Sequence, residues 1–198
     1  MMLMEQTQVP VGVLPLELFK DHLRLGTGFG VDSVQDGMLE TYLRAAIAAI
    51  EARISKALIA RDYSYTVSAW RDLAAQSLPV SPVSAITAFV IVDRAGGEVM
   101  IDPSKYMLEP DMHRPRLVSL GFMLPQVPVG GAARIEFTAG FGPTWSDVPG
   151  DLAQAVFLLA AHYYEHRFEG AASERDMPFG VAPLLDRYRN IRIFGGRG

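Results

Sequence analysis

The sequence contains no cysteine. Disulfides and thiolate metal sites are excluded, and stability has to come from packing. Long apolar runs are missing too: the strongest, Ala153–Ala161, is interrupted by Gln154 and falls well short of the roughly 20 residues a bilayer span needs. The start, Met1-Met2-Leu3-Met4-Glu5-Gln6, lacks the basic and continuously apolar regions of a secretory signal, so synthesis in the cytoplasm and no membrane insertion are expected. Positive charge is not in excess. With 22 acidic against 18 basic side chains, the chain lacks the electrostatic footprint of a protein that grips phosphates. The same balance suits a channel through which DNA slides without specific binding. No low-complexity block and no internal repeat interrupts the chain.

What is present is a 198-residue chain, 49% hydrophobic and 20% charged, enough to bury one sizeable core. Only its ends look loose. Leu14, Leu18, Phe19 and Leu25 recur at helical spacing after Pro15, predicting a short amphipathic helix. The loop Gly26-Thr27-Gly28-Phe29-Gly30 follows, then Ser33 or Asp36 as N-cap of a longer helix whose stripe is Leu39, Leu43, Ala46, Ile47, Ile50 and Ile54. From about 62 to 140 the period changes. Tyr63, Tyr65 and Val67 alternate with polar residues, and Ile86–Val92 is β-branched and leads through Asp93-Arg94-Ala95-Gly96-Gly97 into Glu98–Ile101. Shorter extended pieces follow at Tyr106–Leu108, Arg116–Val118 and Arg134–Thr138. Helical period returns from Asp151 to about Phe168, with Leu152, Val156, Leu159 and Tyr163 on one face, and Pro183–Tyr188 reads as a short helix. The expected fold is α+β. Long helices from about 36–58 and 151–168 form a helical core, and an antiparallel β subdomain is inserted between them. In ranges, the helical part covers 14–60 and 149–190, the β insert about 62–140, and a tail 187–198.

Two patterns carry candidate chemistry. His162-Tyr163-Tyr164-Glu165-His166 matches H-x-x-E-H, in which His162 and His166 share a helix face for zinc and Glu165 activates its water. A catalytic zinc also needs a third protein ligand, and only Glu169, Glu174, Asp176 and Asp186 follow in the remaining 32 residues. The alternative places the two imidazoles at the negative end of a helix dipole. The glycine loop lacks the Gly-Lys-Ser/Thr ending of a phosphate cradle and follows a helix, and no serine sits in a G-x-S-x-G elbow. Near the C-terminus, Arg187, Arg189, Arg192 and Arg197 interleave with Tyr188, Ile191, Ile193 and Phe194. Three readings stand: a solvated end, a nucleic-acid arm, or a segment that docks on a partner through Arg, Tyr and Phe anchors.

The order of several segments resembles the head-tail connector (adaptor) proteins of long-tailed phages and gene transfer agents. These segments are Leu16–Arg24, Leu39–Ala46 running into Ile50–Ile54, Leu78-Pro79-Val80-Ser81-Pro82-Val83, and Asp102–Tyr106. They continue with Ile135–Gly142, Val148–Ala155, Ala161–Arg167, Met177–Val181 and Leu184–Arg189. The resemblance implies a single connector domain over 1–198 and a structural role without catalytic residues, metal or cofactor. It implies a ring, expected to hold twelve subunits, that attaches beneath the portal protein and receives a tail-side connector or tail terminator protein. It also implies a place in the host cytoplasm during assembly and then at the head-tail junction of the particle. Arg187, Tyr188, Arg189, Ile191, Arg192, Ile193 and Phe194 become the portal-docking candidates, and the His-Tyr-Tyr-Glu-His helix a structural element.

Overall fold

The computed structural model describes residues 1–25, 33–166 and 177–189. The fold is α+β, in two compact units: Met1–Pro10 with Lys56–Asp147, and Val11–Ser55 with Val148–Gly198.

The first unit is built of antiparallel strands: β1 (Met2–Glu5), β2 (Arg61–Val67), β3 (Ala75–Ser77), β4 (Val83–Val92), β5 (Glu98–Met100), β6 (Tyr106–Glu109), β7 (Arg116–Ser119) and β8 (Ala132–Ala139). They form a five-stranded sheet in the order β1-β2-β8-β4-β5 and a three-stranded sheet in the order β3-β7-β6. β8 lies at the centre of the larger sheet and shows why it is a strand. Ala133, Ile135, Phe137 and Ala139 are fully buried while Ala132, Arg134, Glu136 and Thr138 are only partly covered, the period of two that a pleated strand imposes. Tyr63 of β2 lies opposite Phe137 and stacks on it at 5.7 Å between ring centroids. Phe89 of β4 meets Trp70 and Tyr106 edge to face. Each fully buried aromatic of this kind contributes about 1.5–3 kcal/mol by leaving water. Trp70 can be partly covered without penalty because its Nε1–H donates to the Pro125 carbonyl at 2.7 Å.

The β4–β5 hairpin turns where the sequence places it. Asp93 Oδ1 accepts from the backbone N–H of Ala95 and Gly97, and Gly96 takes a φ of +87°. β1 and β3 were not legible. The expected loose start is a strand instead: Met2–Glu5 pairs with Thr66–Tyr63, and Gln6 N–H donates to Asp62 O at 2.8 Å.

The second unit holds α1 (Leu16–His22), α2 (Ser33–Ile54), α3 (Gly150–Glu165) and α4 (Ala182–Leu185). On α2 the expected stripe of Leu39, Leu43, Ala46, Ile47, Ile50 and Ile54 is buried throughout. That stripe packs on α3, whose Leu152, Ala155, Val156, Leu159 and Ala160 are buried. α1 buries Phe19, stacked 6.0 Å from Phe157 of α3, while Leu18, assigned to the same stripe, is 54% exposed. α2 stops at Ile54 rather than near 58, because Ser55 turns into the left-handed region at φ +55°. α3 ends at Glu165, and 167–176 lie outside the described residues. Among the described residues no helix is long and apolar enough to cross a membrane.

Candidate functional site

Of the C-terminal docking candidates, Arg187 and Tyr188 sit on the short 3-10 turn Asp186–Tyr188 that follows α4, and Arg189 comes directly after it. Val181, Leu185 and Tyr188, spaced by four and three, form one buried face. Tyr188 is only 4% exposed, and its hydroxyl donates to Asp151 Oδ1 at 2.7 Å. Burial first, and that hydrogen bond second, push the Tyr188 phenol up to about 12. Asp151 stands in the first turn of α3, where the helix dipole favours a carboxylate. Arg187 approaches the other oxygen, Asp151 Oδ2, at 3.6 Å and lies over the Tyr188 ring at 5.1 Å. Arg189 Nη1 is 3.4 Å from Asp186 Oδ1.

The seven candidates therefore divide. Tyr188 is occupied inside the unit, tying the 3-10 turn to the start of α3. Arg187 and Arg189 expose 76% and 53% of their side chains, beside Asp151 and Asp186 respectively. Ile191, Arg192, Ile193 and Phe194 lie outside the described residues.

The His162 and His166 rings lie 4.2 Å apart, sharing one face of α3 as the spacing of four requires. Their surroundings are those of a helix end: the His166 backbone N–H donates to the His162 carbonyl at 3.0 Å, and His166 Nδ1 lies at the same distance from it. Glu165 is exposed. Among the described residues no group of three His, Cys, Asp or Glu side chains is placed to hold a metal ion.

One polar cluster escaped the sequence reading. Lys56 is 1% exposed, and its Nζ donates to Ser81 Oγ at 3.0 Å and to the Met112 carbonyl, with His113 Nδ1 at 3.4 Å. Burial lowers its ammonium to about 8, against the opposing pull of Asp111. The signal available was a single charge inside Ile54-Ser55-Lys56-Ala57-Leu58-Ile59-Ala60. Lys56 fastens the 111–113 loop to the start of the β unit.

No protein-family model and no curated protein sequence matches the chain. Solved structures do. The neck of an empty gene transfer agent particle, computed with C6 symmetry, contains a chain 54% identical with a TM-score of 0.90, each chain covered in full. A chain in the virion of the native gene transfer agent particle is 54% identical at a TM-score of 0.87, again with both covered in full. The neck of the native particle, computed with C12 symmetry, contains one that is 51% identical at 0.84, with the same coverage. Matched end to end at this identity, the chain belongs to the head-tail connector family, the structural proteins of the gene transfer agent neck.

Proposed function

We propose that this chain is the connector subunit of a phage or gene transfer agent particle. Copies form a ring that docks on the portal protein and joins the DNA-filled head to the tail. The observation that carries this reading is the full-length similarity, at 54% identity, to a chain of a gene transfer agent neck. Neck structures computed with C6 and C12 symmetry support a ring, of twelve copies in the particle. The net charge of −4 suits the inner wall of a DNA passage, since phosphates are repelled rather than held. The exposed Arg187 and Arg189 side chains, with Ile191, Arg192, Ile193 and Phe194 beyond them, are the portal-docking segment. The opposite side of the ring receives the tail-side connector or tail terminator protein. Assembly takes place in the host cytoplasm and ends at the head-tail junction. The role is geometric and involves no turnover.

The test is capture of the chain on the portal protein of the same genome, with electron microscopy of the complex. A version ending at Arg189 spares Tyr188 and its bond to Asp151, so the unit stays folded while the distal anchors are lost. The full chain is expected to form rings on the portal, and the shortened chain to lose them. Failure of the full chain to bind, even on DNA-filled heads, would refute the connector reading.

A further inference from the structure

A cyclic ring makes a demand that a two-fold dimer does not. Each copy has to present two different surfaces, one to each neighbour, and the rotation between copies has to bring one onto the other. The β unit carries such a pair. In the order β1-β2-β8-β4-β5, the outermost strands β1 and β5 lie at opposite edges of one sheet. Among the described residues β1 pairs with β2 and β5 with β4, leaving each strand one edge of backbone groups without a strand partner.

Edges of this kind are usually blunted by lysine, proline, bulges or inward charge. These two are not. On β1, Met2, Leu3 and Met4 are 55%, 40% and 49% exposed, and no charged side chain occurs before Glu5. On β5, Val99 and Met100 are 62% and 72% exposed. The one charge of β5, Glu98, is held in a two-pronged pair with Arg134 at 2.8 and 2.7 Å, so it does not repel a neighbouring strand. Strand sense also agrees. Every neighbouring pair in the sheet is antiparallel, so across five strands β1 and β5 run in the same direction. A twelvefold step turns a copy by 30° (360°/12) and leaves strand directions nearly unchanged. β5 of one copy then meets β1 of the next as a parallel pair.

We propose that neighbouring copies in the neck ring join through these edges, β5 of one against β1 of the next, so that the sheet continues from subunit to subunit. The inference rests on the ring reading above and names its lateral contact. Three or four residues per edge form a contact well below the roughly 1,200 Å² of a stable free interface, so the pairing belongs to the assembled neck and not to the dilute chain.

The absence of cysteine makes a direct test possible. Val99→Cys is combined in turn with Met2→Cys, Leu3→Cys and Met4→Cys, which together cover the register along β1. β1 and β5 are four inter-strand steps apart, about 19 Å, so a disulfide, with its Cα–Cα reach of about 4.4–6.8 Å, can form only between copies. Mild oxidation of neck-bearing particles is expected to give a ladder of dimers, trimers and larger species on a non-reducing gel with at least one pair. Single-cysteine variants are expected to give none. A dimer from a single-cysteine variant would overturn the head-to-tail arrangement, because it reports like edges meeting. Particles that carry the variants in their necks yet give no ladder with any pair would overturn the edge contact and leave the connector reading intact. Absence of the wild-type chain from necks would instead defeat the connector reading. Hydrogen exchange on the unmodified chain tests the same contact independently of register. Amides of residues 2–5 and 98–100 are expected to exchange at least about tenfold more slowly in assembled necks than in the free chain, and unchanged rates would overturn the proposal.

Discussion

Replacing Tyr188 by phenylalanine isolates one hydroxyl whose partner and burial are both known. The ring keeps its place on the buried face of Val181 and Leu185, and the 2.7 Å bond to Asp151 is lost. A hydrogen bond to a charged acceptor contributes about 1.5–3 kcal/mol, and Asp151 keeps Arg187 at 3.6 Å. Tyr188→Phe is therefore expected to cost about 2 kcal/mol at pH 8. The pH dependence is more telling. In the folded chain the phenol titrates near 12 instead of its ordinary 10. Between those values the unfolded chain binds fewer protons than the folded one, so stability falls as pH rises. Two pH units correspond to about 3 kcal/mol. The stability advantage of the wild type over the variant should hold below pH 10 and vanish by about pH 12. Urea unfolding of both proteins, followed by far-ultraviolet circular dichroism at pH 8, 9.5, 10.5 and 11.5, reads this directly. The difference between the two curves removes the titration of every other group. If the two proteins lose stability in parallel across this range, the phenol is not held against Asp151.

Two further substitutions probe the β unit, and a third, at Gly12 of the helical unit, serves as a control. A side chain at Gly140 would place its Cβ 2.4 Å from the Ala60 backbone at a φ of +144°, so Gly140→Ala is expected to cost about 3 kcal/mol or more. The same change at Gly12, which faces open space, should stay within about 0.5 kcal/mol in a thermal melt. Lys56→Met removes a buried cation but leaves the Ser81 hydroxyl and Met112 carbonyl without their donor, so its effect at pH 7 should be about 1 kcal/mol or less. Because folding lowers the Lys56 ammonium to about 8 from an ordinary 10.5, the unfolded chain binds more protons between those values, and the wild type should gain stability there with rising pH. The variant should lack that gain in urea titrations, and an identical rise in both proteins would remove Lys56 as its source.

Where a segment is half buried over a whole element, its period shows in the residues. β8 and the stripe of α2 were legible for that reason, and the Asp93 turn because an Asp with two glycines closes a hairpin by its own chemistry. β1 offers four residues, too few for alternation, and its partner strand lies some sixty positions on. Ala57 and Leu58 prolong the apolar pattern of α2 and fall within the helix expected over about 36–58, yet they are buried in the β unit after the turn at Ser55. At the C-terminus the difficulty is different. Tyr188 has the same amphipathic character whether it anchors a partner or fills a core with its hydroxyl satisfied. Composition cannot separate the two, whereas the spacing of Val181, Leu185 and Tyr188 carried the signal.

The way the chain passes into and out of the β unit has an evolutionary consequence. Ile59 and Gly142 bridge to each other, Ala60 N–H donates to Gly142 O at 2.8 Å, and Phe141 N–H to Leu58 O at 3.3 Å. The strand going in and the strand coming out are thus stitched together inside the unit. A segment whose two ends are joined in this way is a cassette: it can be lengthened, trimmed or exchanged for another with the same two adjacent ends. Residues 59–142 have that property so long as a strand like β2 remains for β1 to pair with, and Gly140 is the clasp that no larger residue can replace.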